Sequence, residues 1–286
     1  MQPTPDQALI RFDGVHFSYL DEEDGGEDAV FRGLSIGVPS GVVSLVGQNG
    51  VGKSTFLLLA GARVFPSKGS VQVDGVDTRE FARAAVDPDA EQRRNRLVSF
   101  IYQNMEFETQ EPIGDLMRYV YAEGHYQDKQ PDFVHRIQTE LELTDLLGKR
   151  TQELSKGQLQ RTIIGFSLLY GSRIVLMDEP VFALEEPRKE RVFGFLMEIA
   201  RELGLSLYYS AHNIDLTRSF SDTIMLFYKD GSIRVGPTAE LAQRGTIEEA
   251  FQVPWDMLHR KEYLFREMLT AIGRTAVDGS DGGNQS

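Results

Sequence analysis

The sequence predicts an α/β fold built on a mostly parallel sheet, with an N-terminal antiparallel β subdomain and an inserted α-helical subdomain. Three observations carry this. Short apolar runs at 174–177, 206–209 and 223–227, broken by a helical stretch from Arg188 to Leu203, read as strands buried on both faces of a parallel sheet. The first third of the chain instead reads as strands and turns. From Pro112 to Leu147 the apolar spacing changes to three and four.

In chain order, Ala8 to Tyr19 alternates and is followed by the acidic stretch 21–28, DEEDGGED. Its six carboxylates lack the alternating ligand spacing and distal glutamate of a calcium loop, so a solvated hairpin tip is the favoured reading over a metal site. Val42 to Val46 is a strand, and Val71 to Val73 runs into the turn Asp74-Gly75. Leu116, Tyr119 and Val120, then Phe133, Ile137 and Leu141, form the apolar stripe expected of the helical lobe. Ile163 to Met177 reads as a buried helix end, a turn at Gly171, Ser172 and Arg173, and a strand; it falls short of the ~20 apolar residues a bilayer requires. Trp255, Leu258, Phe265, Met268 and Ile272 share a helical face, more plausibly for packing than for a partner. The expected organisation is one domain over 1–245, with the helical subdomain at about 104–161, a C-terminal helical extension over 246–275 and a disordered tail at 276–286. No internal repeat is found.

Composition narrows the function. Hydrophobic residues at 41% and charged residues at 26% of 286 suit a globular core and exclude collagen, coiled coil and wholesale disorder. The net charge of −13 weighs against wrapping a long polyanion, so no nucleic acid is expected. The basic run Arg93-Arg94-Asn95-Arg96 is the contrary feature and is read as a solvated surface. Zero cysteines exclude a disulfide framework, a thiolate zinc site and a cysteine nucleophile, and suit a reducing compartment, the cytosol being the simplest. The start MQPTPDQALI does not resemble a secretory signal. If the protein works at a membrane, another chain must supply the spanning part.

Residues 47–54 carry the strongest chemistry. Gly47, Gln48, Asn49, Gly50, Val51, Gly52, Lys53 and Ser54 fit G-x-x-x-x-G-K-[ST], directly after the strand VVSLV and before the apolar run FLLLA that opens a helix. Glycines let successive N–H groups turn inward as an anion nest, and the helix points its positive end at phosphates. The pattern is the one expected of a P-loop nucleoside triphosphatase core, in which Lys53 is expected to bridge the β- and γ-phosphates, Ser54 to ligate Mg²⁺ and Thr55 to reach the α-phosphate; a glycine-rich turn that binds nothing is the lesser alternative. Downstream, the apolar strand Ile174 to Met177 ends in Asp178 and Glu179. Asp178 is expected to hold the Mg²⁺ water shell and Glu179 to orient the attacking water, the alternative being two acids that cap the next helix.

Between these elements lies Leu154-Ser155-Lys156-Gly157-Gln158-Leu159-Gln160-Arg161, and here the chain resembles the ATP-binding cassette (ABC) ATPases, over nearly its whole length. Their signature is L-S-G-G-Q followed by Q-R; Lys156 stands where the glycine pair begins. Gln103 matches the family's Q-loop, His212 in YYSAHN its switch histidine, and Tyr19 in HFSYL the aromatic that stacks on adenine.

The resemblance implies an ATPase that works as a dimer, a homodimer being favoured. The signature of a second copy caps the γ-phosphate through Ser155, Lys156, Gly157 and Gln158. Glu179 is its general base, His212 bonds the γ-phosphate, and Gln103 senses Mg²⁺. Two departures stand out. Lys156 either strengthens ATP-driven closure or projects into solvent, the second being favoured. Phe182-Ala183-Leu184-Glu185 replaces the family's usual S-A-L-D loop.

A complete cassette without its own spanning segment implies the ATP-hydrolysing subunit of a transporter, peripheral on the cytoplasmic face of the cell membrane and docked on transmembrane permease subunits. The run DGSIRVGPTAEL is similar to importer-type ATPases. The competing reading is a soluble ATPase of an assembly or repair machine. A non-hydrolysing regulatory binder is disfavoured by the presence of Lys53, Glu179 and His212 together.

Overall fold

The computed structural model describes residues 8–20, 27–103, 105–211 and 213–258. The elements run β1 Ala8–Leu20, β2 Glu27–Pro39, β3 Val42–Val46, α1 Lys53–Ala60, β4 Lys68–Val73, β5 Val76–Asp77, α2 Pro88–Leu97, β6 Val98–Ile101, α3 Ile113–Glu123, α4 Phe133–Glu140, α5 Lys156–Tyr170, β7 Ile174–Met177, α6 Glu186–Leu203, β8 Ser206–Ala211, α7 Ile214–Phe220, β9 Thr223–Phe227, β10 Ile233–Pro237, α8 Thr238–Leu241 and α9 Arg244–Phe251.

Two sheets form. The first is antiparallel in the order β2-β1-β4-β5; the second runs β10-β9-β3-β8-β7-β6 and is parallel except for β10. The parallel strands of the second sheet are largely buried on both faces, and their period of two sorts side chains between two cores. Val43, Leu45, Ile174, Leu176 and Tyr208 face a core shared with the first sheet and α1, whereas Val175, Met177, Leu207 and Tyr209 face α3 to α6. Sandwiched between the sheets, α1 is apolar nearly all round. Its Phe56 stacks on Phe12 at 4.3 Å and meets Phe227 edge-on at 6.0 Å. Cutting it back to alanine would cost about 3–5 kcal/mol.

Helix boundaries follow local chemistry. Ser155 caps α5, which ends at Gly171 in the left-handed region (φ 79). Pro187 lies in the first turn of α6, and Gly204 ends it. Asp87 caps α2, accepting hydrogen bonds from the N–H groups of Asp89 and Ala90.

Three expectations need correction or placement. The buried stripe of α3 is Ile113, Met117 and Tyr121, spaced by four, while Tyr119 is exposed, because the helix packs on α5 through the face one residue further round. The run 93–96 is not uniformly solvated: it ends α2, and Arg94 is buried beside Glu91 and Asn95. Trp255 and Leu258 do pack, against the cluster of Ile214, Ile224, Leu226, Ile247 and Phe251, whereas Phe265, Met268 and Ile272 lie outside the described residues, as do positions 21–26 of the acidic stretch and the tail. Among the described residues no helix is long and apolar enough to cross a membrane.

Candidate functional site

The glycine turn, Gln103, the segment after β7 and Ser210 meet at the carboxyl ends of the parallel strands, where an open α/β sheet presents its loops. Gly52 precedes α1 with φ 98, a conformation that L side chains rarely adopt, and a Cβ there would meet the Phe31 ring at 3.2 Å. No side chain caps α1, so its first N–H groups and the positive end of the helix dipole face the turn.

Lys53 is buried, and its Nζ donates to the carbonyls of Gly47 at 2.8 Å and Gln48 at 2.7 Å, folding the side chain back over the turn. Burial pulls its pKa from 10.5 down to about 8, while the nearby carboxylates of Glu179 and Asp178 oppose the fall. Asn49, Gly50 and Ser54 are exposed and Val51 is half-buried. The Gln48 amide reaches away from the turn and donates to the carbonyl of Phe251, at the end of α9. Thr55 shares a hydrogen bond of 3.2 Å with the hydroxyl of Tyr19, whose ring stands edge-on to Phe17 and is about half exposed.

The two acids after β7 are held from several directions. Ser210 Oγ donates to Asp178 Oδ1 at 2.6 Å and accepts the N–H of Glu179 at 2.8 Å. Gln160 Nε2 donates to the Glu179 carbonyl at 3.1 Å, and Gln103 Nε2 donates to Glu179 Oε2 at 2.7 Å. Glu179 has φ 49, which costs a residue with a Cβ roughly 1–2 kcal/mol and persists only where the surroundings over-determine it. The three of these bonds that fall on Glu179, from its N–H to Ser210 and to it from Gln160 and Gln103, supply that constraint. Neither acid caps the next helix, since the residue preceding α6 is Glu185.

Ser155 and Gln158 form a capping box at the start of α5: Ser155 Oγ accepts the Gln158 N–H at 3.3 Å, and Gln158 Oε1 accepts the Ser155 N–H at 2.9 Å. That arrangement leaves the serine O–H free to donate outward, beside the positive end of a fifteen-residue helix. Lys156 is exposed, and Gly157 lies against Ala183.

The structure therefore brings Lys53, Asp178, Glu179 and Gln103 together and pairs Tyr19 with Thr55. It leaves Ser155 to Gln158 as a separate group, with Ser155 and Gln158 bonded to each other and Gly157 packed against Ala183. His212 lies outside the described residues, directly after β8. Ser210 escaped sequence reasoning, and Gln160, though quoted with the signature, was given no role there. The signal for Ser210 was its place in YYSAHN two residues before His212, and for Gln160 a polar residue on the buried side of α5.

Comparison with known proteins gives the family and the fold. The family model described as ABC transporter matches residues 31–182, more than half the chain. The molybdenum import ATP-binding protein ModC of Shewanella sp. (strain MR-4) is 29% identical over 202 residues, covering 70% of this chain and 53% of ModC. The chain thus spans about half the length of the ModC proteins it matches. The petrobactin import ATP-binding protein FatE of Bacillus anthracis is 28% identical over 243 residues, covering 84% of this chain and 91% of FatE. Among solved structures, a dimeric ATP-binding cassette in a post-hydrolysis state bound to ADP and Pi superposes with a TM-score of 0.67 at 21% identity, covering 80% of this chain and 98% of that one. At that identity the likeness shows the fold alone.

Proposed function

The chain belongs to the ABC transporter family, and from that premise we propose that it is the ATP-binding and ATP-hydrolysing subunit of an importer, acting as a dimer on the cytoplasmic face of separate membrane-spanning permease subunits. The observation that carries the reading is the buried lysine at the open N-terminus of α1, faced by Asp178 and Glu179. A buried ammonium bonded to two loop carbonyls is poised to exchange them for phosphate oxygens. The import relatives favour the direction of transport.

In this reading the turn from Gly47 to Gly52, with Lys53 and Thr55, binds the triphosphate through backbone N–H groups and the helix dipole. Tyr19 presents its ring to the adenine. Ser54, Asp178 and Gln103 offer oxygen donors of the hard type that magnesium takes, and the ion when bound would neutralise phosphate charge. Glu179 orients and deprotonates the attacking water, and Gln103 sets the direction of its carboxylate. His212 bonds the γ-phosphate. Phosphoryl transfer asks mostly for positioning and charge stabilisation, so few groups suffice. Ser155, Lys156, Gly157 and Gln158 serve the nucleotide of a second copy, with the Ser155 O–H as donor. The cassette spans 1–245 and the helical extension 246–275.

The test is Mg²⁺-dependent ATP turnover by the purified chain beside Lys53→Ala, together with co-purification of permease subunits from detergent-solubilised membranes. Turnover abolished by the substitution and recovery of a membrane partner are expected. Equal turnover in the variant, or nucleotide bound away from residues 47–55, would overturn the reading.

A further inference from the structure

Glu142 follows α4 at φ 51, in the left-handed region where a residue with a Cβ is strained. Three arginines from two other helices converge on its carboxylate. Arg161 of α5 reaches Oε2 at 3.2 Å, Arg188 of α6 reaches the same oxygen at 2.9 Å, and Arg191 of α6 reaches Oε1 at 3.0 Å. Arg161 is buried and also donates to the carbonyls of Leu141 at 2.6 Å and Glu142 at 2.9 Å, so it anchors the group while the two α6 arginines lie at its rim. Burial lowers the pKa of Arg161 first, and its neighbour Arg188 lowers it further, so the shared carboxylate is what lets the cations sit together. A turn alone would be served better by glycine.

The same stretch of α5 is tied to the loop between Glu179 and α6. Gln160 spans it, donating to the Glu179 carbonyl and accepting the Ala183 N–H at 3.2 Å. A Cβ on Gly157 would sit 2.9 Å from the Ala183 carbonyl, so the helix start is pressed on the loop. The loop then runs directly into α6, whose first two turns carry Arg188 and Arg191.

We propose that Glu142 is a positioning residue that locks the start of α5 to α6 and the 179–185 loop, so that Ser155 and Glu179 of one molecule move as a single body. The inference rests on the proposed function. There Ser155 serves the partner's nucleotide and Glu179 serves its own, so the lock couples the two sites of the dimer. Each exposed pair by itself contributes little; the coupling comes from three cations sharing one carboxylate across three elements.

The test uses the full chain carrying Glu179→Gln, with Glu142→Gly and Glu142→Gln added separately. Glu142→Gly removes the bridge while its relief of the left-handed strain offsets part of the cost of leaving Arg161 without its carboxylate; Glu142→Gln keeps the size and removes the charge. Readouts are MgATP affinity of the monomer, MgATP-driven dimerisation by sedimentation, and amide exchange over 155–161 and 182–191. Expected are MgATP affinity within about twofold of the parent, dimerisation weakened about tenfold, and faster exchange in both segments together. A melting temperature that moves while dimerisation and exchange at both segments stay at parental values overturns the coupling. A parent that binds MgATP without dimerising overturns the proposed dimer mechanism itself, and the coupling with it.

Discussion

Replacing Lys53 with methionine is expected to stabilise the nucleotide-free protein while removing its affinity for nucleotide. The parent keeps a cation in a site that desolvates it: the pKa falls from 10.5 to about 8, which at ~1.4 kcal/mol per unit is roughly 3 kcal/mol. Methionine fills similar space without that cost. It leaves the carbonyls of Gly47 and Gln48 without the lysine as donor, giving back about 1 kcal/mol for each. The net gain is about 1–2 kcal/mol, and at ~2–4 °C per kcal/mol a rise of a few degrees in Tm.

The pH dependence carries the sign. Between pH 8 and 10.5 the unfolded lysine holds a proton that the folded one has released, so stability of the parent rises with pH across that window. Below it both states are protonated and the full penalty stands. Parent and variant melting curves should therefore converge as pH is raised from 7 to 9.5. Adding MgATP should raise the Tm of the parent only. A variant that melts below the parent at pH 7 without nucleotide would refute the reasoning, because the ammonium would then be a net stabiliser of the empty turn.

Glu179→Gln should retain ATP binding, lose turnover and accumulate an ATP-bound dimer on a sizing column; faster hydrolysis than the parent would contradict the role given to the carboxylate. Ser210→Ala removes the donor to Asp178 and the acceptor of the Glu179 N–H, so denaturant unfolding should register a loss of about 2 kcal/mol alongside slower turnover. Unchanged values of both would dismiss the serine as a bystander. Ser155→Ala deletes the cap of α5, costing about 1 kcal/mol of stability. It should leave the monomer's affinity for MgATP intact while impairing dimer closure, and a matching loss of monomer affinity would place that serine in its own molecule's site.

Residues whose chemistry is local in the chain were legible without coordinates. The turn 47–54 could be read because glycine freedom, lysine charge and the flanking strand and helix all lie within one short stretch, and β3 and α1 bracket it as expected. Asp178 and Glu179 were legible because two acids at the end of a four-residue apolar strand have little structural excuse. Periodicity was less dependable. It found the helical lobe, but of Leu116, Tyr119 and Val120 it drew in the exposed Tyr119 and missed the buried Ile113, Met117 and Tyr121, since several spacings of three and four fit one short helix. Polar α2 had no stripe to find: among its ten residues only Ala90 and Arg94 are buried.

Tertiary structure alone decided the rest, and the reason is distance along the chain. Val46 pairs with Ala211 and Asp178 accepts a hydrogen bond from the Ser210 hydroxyl because β3, β8 and β7 lie side by side, an order that no local pattern encodes. Gln160 stood in the sequence only as part of the Q-R after the signature, and nothing in the sequence singled out Glu142. Their meaning arises only where α5 and α6 bring Arg161, Arg188, Arg191 and the 179–185 loop within hydrogen-bond reach of them. Sequence determined which residues are candidates for the chemistry; packing determined which of them are held, and by whom.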